Sequence, residues 1–381
     1  MALFEINTQI SDSNIQKKSC SNNEKNYTMI NYKNGMAEPG GYYRSVLLDE
    51  ANNVVSFALP KSVEYETFTE KYPDLNNGDF QLNDIIEGTM INLFHNGDFW
   101  EISTKGSVGG NYWYFRNSYD ESDKKQKTFR EMFIECLGYD SSTNINDIEL
   151  IMSLPQNYVY SFVIQHQDNH IVLDITWPAI VLVSVFKKDG SKIQLQPLSA
   201  IKCWNVFQDT KVMFPLEYSA KQIVCPINFA NCEFKTGLMI TNLGTGERVA
   251  IKNQEYERLR QIRGNNPNMQ YHFYALMESN QVSSFLDHFP KYERLFAKFS
   301  KQLHDFIRNI HDAYVIYYVQ KRGKQVRIPS NIFPHIYKLH FDVHVPSLSE
   351  GEKIIVTKKV VSDYINAMQP KEKLYFINKT V

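Results

Sequence analysis

Residues 84–110, DIIEGTMINLFHNGDFWEISTKGSVGG, constrain the fold of this chain more than any other stretch. Two runs rich in β-branched and aromatic residues flank Asn96-Gly97, the dipeptide best able to take the positive φ angles of a tight hairpin turn. The first run alternates, with Met90, Asn92 and Phe94 on one face and Ile91, Leu93 and His95 on the other. Regular pairing about a two-residue turn sets Lys105 opposite Gly88 and Ile85 opposite Val108. Glu87-Gly88-Thr89 then stands at the mouth of one strand and Lys105-Gly106-Ser107 at the end of the other. A carboxylate, glycines and a lysine at adjoining strand ends suit a pocket of nucleotide or phosphate size.

The rest of the chain divides around this hairpin. Residues 1–41, rich in Ser, Asn and Lys and ending in Glu38-Pro39-Gly40-Gly41, predict a polar arm and linker. Residues 42–59 give two short strands around Asn52-Asn53, and 120–127 a charged connector. TFREMFIECLG (128–138) predicts a short helix with Thr128 as N-cap, Glu131 completing a capping box and Gly138 ending it. Residues 157–175 predict two strands around a Gln-Asp-Asn turn, and AIVLVSVF (179–186) a buried strand turning at Asp189-Gly190. A last hairpin, 235–256, is closed by Gly244-Thr245-Gly246. Beyond Tyr256 the spacing of Leu295, Phe299, Leu303, Phe306, Ile310, Tyr314 and Tyr317 predicts a long amphipathic helix over 292–320. A further helix runs from a Thr357 cap and stops before Pro370.

Read as a series, these segments resemble the phage-type RNA ligases, covalent nucleotidyltransferases whose first motif is Lys-x-Asp-Gly. Setting the motif glycine on Gly88 puts Glu87 on the acidic residue and Ile85 on the lysine. Arg44 stands where the family has an arginine near nucleotide or RNA phosphates, Ser161 on a glutamate and His170 on an arginine of the third motif. In the last hairpin Thr236 takes a glutamate position, Ala250 the first lysine and Lys252 the second, and Tyr256 agrees with the pattern. The resemblance covers residues 42–256. It implies an α+β fold in which an antiparallel-sheet nucleotidyltransferase domain (42–256) is followed by a mainly helical C-terminal domain (257–381).

What the resemblance implies about chemistry turns on its departures. The family lysine attacks the α-phosphate of ATP, with Mg2+ present, to form a lysyl-AMP. That step needs an amine with a free lone pair, and Ile85 has none. Ser161, Thr236 and Ala250 remove two further carboxylates and a lysine that neutralises the α-phosphate. Ile85 and Gly88 lie on opposite faces of a regular strand, so Lys105 points away from the Ile85 side, and its expected role is a cation beside phosphate. The residues expected at a nucleotide or RNA site are therefore Arg44, Glu87, Gly88, Lys105 and Lys252, with no catalytic residue. His166 and His170, and His335, His340 and His344, fit no common zinc spacing.

A non-catalytic RNA-ligase-like protein that binds nucleotide, RNA or a protein partner is the first function this supports. A structural or assembly role comes second, and an active ligase with a relocated lysine third. Net charge is −1, which excludes a global nucleic-acid footprint, yet residues 247–327 carry fourteen Lys/Arg against eight Asp/Glu. A basic C-terminal part is compatible with RNA. Five cysteines without a CxxC pair predict reduced thiols in a cytosol-like compartment. No apolar run approaches membrane-span length. The abundance of Asn, Ile, Lys and Tyr suggests an AT-rich genome such as that of a large DNA virus, which would place the protein in a viral factory or virion.

Overall fold

The computed structural model describes residues 1–10, 12–75, 79–113, 127–219, 235–323, 325–349 and 353–379. It divides into two compact units, the first ending at Arg263 and the second beginning at Gly264. The expected connector at 120–127 lies, apart from Lys127, outside the described residues. No described helix is long and apolar enough to cross a membrane.

The first unit carries the strands β1 (Leu3–Glu5), β2 (Ile15–Asn22), β3 (Lys25–Tyr32), β4 (Val46–Leu48), β5 (Val54–Phe57), β6 (Phe80–Asp84) and β7 (Thr89–His95). These are followed by β8 (Trp100–Ser103), β9 (Tyr158–Gln165), β10 (Ala179–Asp189), β11 (Lys192–Gln196), β12 (Val212–Met213), β13 (Gly237–Asn242) and β14 (Arg248–Lys252). They form three sheets, in the orders β1-β11-β10-β9-β7-β8, β2-β3-β4-β5 and β14-β13-β6. Among these described strands the pairings are antiparallel except that of β12, which lies parallel to β10. The expected α+β class with antiparallel sheets and a helical C-terminal part is what the chain adopts.

Alternation decides how the sheets pack, because successive side chains of a strand point to opposite faces. On one face of the large sheet Ile91, Leu93, Tyr160, Phe162, Ile180 and Leu182 form a core with the helix Phe129–Cys136. That helix begins at Thr128 with the expected capping box. On the other face Phe94, Val159, Phe186 and Ile193 pack against Ile30, Val46, Leu47 and Phe57 of the four-stranded sheet.

Three local expectations need correction. Residues 1–41 are not a free arm: Phe4 and Ile6 are buried in that second core and β2 and β3 pair along their whole length. Average composition concealed the alternation of Lys25–Tyr32 and the positive φ of Asn23 and Glu24, which make the turn. The organising hairpin has a four-residue loop, 96–99, with Phe94 opposite Glu101. Asn96 closes it by accepting the backbone N–H groups of Asp98 and Phe99 at 3.0 Å each. Finally, residues 170–175 form no strand after β9.

The second unit is helical. Its longest helix, Glu293–Tyr314, continues into a wider π turn over Val315–Val319. Its buried face carries Phe296, Phe299, Leu303, Phe306 and Ile310. Pro370 does not simply end the Thr357-capped helix, since it opens another, Pro370–Asn378. His335 lies in this core between Phe306, Tyr364 and Phe376. Its Nδ1 meets the Tyr364 hydroxyl at 3.1 Å and its Nε2 has no partner.

Burial lowers the pKa of His335 to about 4. The unfolded chain therefore binds the extra proton first as pH falls, and stability is lost between about pH 6.5 and 4. Denaturant titrations should show roughly 2–3 kcal/mol of acid destabilisation over that window, absent in His335→Gln.

Candidate functional site

The three-stranded sheet sorts its residues by the same parity rule. Leu82, Leu238, Ile240, Val249 and Ile251 turn to one side and pack on Phe68. The opposite side carries the cross-strand rows Gln81–Thr241–Arg248 and Asn83–Met239–Ala250, with Lys252 beyond them. All seven line a cavity of about 410 Å³, within the size range of small-molecule sites. Met90, Val163, Val183, Ser184 and Leu195 of the large sheet line it as well. A bulge between Leu182 and Ser184 brings both Val183 and Ser184 to the cavity.

The cavity gathers residues that lie far apart in sequence. Of the positions singled out by the family pattern, Arg44, Ile85, Gly88, Ala250 and Lys252 all line it. Gly88 is required there, because a Cβ at this position would lie 2.3 Å from the Ile164 carbonyl oxygen. Ile85 is fixed through its backbone, its N–H donating to the Gly237 carbonyl at 2.9 Å and its own carbonyl accepting from Thr236 Oγ1. Ser161 sits deeper, beside Ser184 in the strand register, donating to Asn92 Oδ1 at 2.8 Å.

Glu87 and Lys105 are not brought to the cavity. The Glu87 side chain is buried on the other side of the chain, where its carboxylate accepts the N–H groups of Ile171 (2.8 Å), Val172 (3.0 Å) and Leu173 (3.1 Å). It also meets the Tyr256 hydroxyl, whose pKa is raised by burial and by this carboxylate. Those bonds explain why 170–175 is not a strand: its amides converge on one anion. Lys105 is exposed, follows β8 after that strand has ended, and takes part only through its carbonyl, which accepts from Asn31 at 3.3 Å. The shifted hairpin register leaves it opposite no residue of β7.

Electrostatics single out Arg248, which sequence reasoning missed. It is 6% exposed, and Nε donates to the Pro60 carbonyl at 2.7 Å. Neither Arg248 nor Arg44 forms an ion pair with a described carboxylate. Burial lowers the pKa of Arg248 to about 9, the Arg44 charge adding to the effect, and burial lowers that of Arg44 too. Both stay cationic at neutral pH. A buried charge left without a counter-ion costs roughly 3–5 kcal/mol, so the buried Arg248, with the half-buried Arg44 lining the same cavity, favours an anion there. Ser184 adds a hydroxyl that is 2% exposed and has no partner. The signal that could have marked Arg248 was its place at the start of a strand whose alternate residues are Ala250 and Lys252.

Asp84 is the one carboxylate among the described residues that line the cavity, and burial raises its pKa while one of its oxygens accepts from Leu216 N at 2.7 Å. No group of three His, Cys, Asp or Glu side chains among the described residues could hold a metal. Asp84 alone among the described lining carboxylates could share a Mg2+ with ligand phosphates and water, the way that ion is usually held. His166 is engaged by Glu135 at 2.9 Å, and Cys20, Cys136 and Cys203 are free thiols. Among the described residues Lys252 is the only amine lining the cavity, and it is paired with Glu257 at 3.2 Å.

No family model matches the sequence. The immediate-early protein ICP-46 homolog of Invertebrate iridescent virus 6 is 22% identical over 313 residues, covering 77% of this chain and 66% of its own. The chain thus spans just under two thirds of that relative. Among solved structures, an archaeal ATP-dependent RNA ligase aligns at 10% identity and a TM-score of 0.40, over 92% of this chain and 82% of its own. A Naegleria gruberi RNA ligase with ATP and Mn aligns at 12% identity and a TM-score of 0.36, over 54% and 58%.

Two outcomes test this geometry. Glu87→Ala strands three part-buried amides and should lower unfolding free energy by roughly 1–3 kcal/mol, measured in urea. Arg248→Met removes an uncompensated charge, so the ligand-free melting temperature should hold or rise. Stabilisation by inorganic triphosphate, present in the parent, should then disappear.

Proposed function

We propose that this is an RNA-ligase-like protein that binds the phosphates of a nucleotide in the cavity without becoming nucleotidylated. The single observation that supports this most strongly is the buried Arg248 and half-buried Arg44 lining one cavity, two cations against the single described carboxylate Asp84, with which neither forms an ion pair. A phosphate chain supplies that missing charge through hydrogen bonds to both guanidinium groups. Gln81, Asn83, Thr241 and Ser184 offer neutral donors and acceptors, and Met90, Met239, Val163 and Ala250 an apolar floor for a ring.

The covalent half of ligase chemistry has no carrier at its usual place. The position that the family pattern gives to the nucleophile is occupied by Ile85, a hydrocarbon on the cavity wall. Uniform binding without a nucleophile holds the ligand and does not turn it over. A nucleotide-binding relative of the ligases in a virus-like setting is thus the function we assign.

ATP carrying a labelled α-phosphate should leave no protein–AMP adduct, with or without Mg2+. Calorimetry should still report binding, weakened roughly 10- to 100-fold in Arg44→Ala and in Arg248→Met, as for loss of a charge-assisted hydrogen bond. An adduct that vanishes in Lys252→Ala would replace this reading with an active ligase using a relocated amine. Absence of any nucleotide binding would favour the assembly role.

A further inference from the structure

The second unit carries a surface that the cavity does not use. From Phe333, through Tyr317 and Tyr318, to Phe341 and Tyr337, side-chain rings touch one another in an unbroken series. Tyr317 meets Phe333 edge-on at 5.7 Å and Tyr318 at 4.9 Å. Tyr318 reaches Phe341 at 6.4 Å, and Phe341 lies 4.5 Å from Tyr337. His340 backs the series, stacked on Tyr318 at 3.8 Å and 15°. Phe333 is 39% exposed, Tyr337 50% and Phe341 45%, so these are not core rings that happen to reach the surface.

Local backbone geometry produces this series. Two π turns, Val315–Val319 and Leu339–His344, each insert an extra residue per turn and so shift Tyr318 and His340 out of ordinary helical register. The Tyr314 hydroxyl meets His340 Nδ1 at 3.2 Å and holds the two turns together. The chain after the first turn folds back, with Arg322 N–H on the Ile316 carbonyl at 3.0 Å and Gly323 against the Tyr317 ring.

Charge decides what such a surface would accept. Residues 313–345 contain five Lys/Arg and one acid, Asp342. Lys321 and Arg322 follow the first π turn, and Lys338 adjoins Tyr337 in the chain. All three are exposed and, with Arg327, form no ion pair with a described carboxylate. An apolar protein partner would leave these cations to be desolvated without compensation. Partly exposed rings in a chain segment with exposed cations match instead the two elements of a single strand, stacked bases and phosphates. A duplex keeps its bases stacked on each other and cannot use the rings.

We infer that the ring series and flanking cations of the second unit form a docking surface for single-stranded nucleic acid. It stands on the second unit alone and holds whether or not the cavity binds a nucleotide. Fluorescence anisotropy of the full chain with a labelled oligouridylate tests it. Tyr337→Ala and Phe341→Ala should each weaken binding roughly 5- to 100-fold, the range for one base–ring stack, while Tyr337→Phe keeps parent affinity. Lys321→Gln with Arg322→Gln should flatten the salt dependence by about 0.7 per cation removed. Arg248→Met should leave oligouridylate binding unchanged, which separates this surface from the cavity. Equal affinity for duplex RNA, indifference to ring removal, or self-association through this face in place of oligonucleotide binding would each overturn the inference.

Discussion

One buried carboxylate ties together the parts of the first unit that shape its cavity. Glu87 lies in the link between β6 and β7, and its oxygens collect three successive amides from the loop after β9 and the hydroxyl of Tyr256 in the helix Gln254–Arg263. Such a hub is strong because a carboxylate accepts several hydrogen bonds at once, and each part-buried amide would otherwise lack this charged acceptor. Its grip on residues 171–173 keeps that segment from continuing the sheet. It also fixes Gly88 against the backbone of Ile164, so that Ile85 and Met90 face the cavity.

The cavity itself follows from alternation in two sheets. Every second residue of the three-stranded sheet is committed to a compact apolar core, and the remaining ones are free to be polar. That freedom is where Arg248 sits. Its partner in charge, Arg44, comes from the chain entering a different sheet, just before β4. Neither strand pattern alone requires the two to meet. The arrangement carries an energetic penalty in the empty state, which an anion bound as proposed would relieve. A scaffold selected for stability alone would place leucine or a carboxylate at one of these positions.

The second unit solves a different problem with the same means. An amphipathic helix of 22 residues buries Phe296, Phe299, Leu303, Phe306 and Ile310. Then, at the point where the apolar stripe would continue, it widens into a π turn. The widening moves aromatic rings from the buried stripe to the surface, among exposed cations.

Sequence by itself determined the elements whose signals are local. The capping box at Thr128, the turns at Asn52-Asn53 and Asp189-Gly190, the alternation of β7 and the long helical stripe are all set by neighbours within a few residues, which is the range of capping, turn and periodicity effects. It also fixed one chemical fact, that position 85 carries no amine. Tertiary structure decided the rest. The direction of Glu87 depends on a loop more than eighty residues away, and the reach of Lys105 on a loop length that the side chain of Asn96 sets. The meeting of Arg44 with Arg248 depends on two sheets closing over one space, and only long-range packing selects which alternating face turns inward.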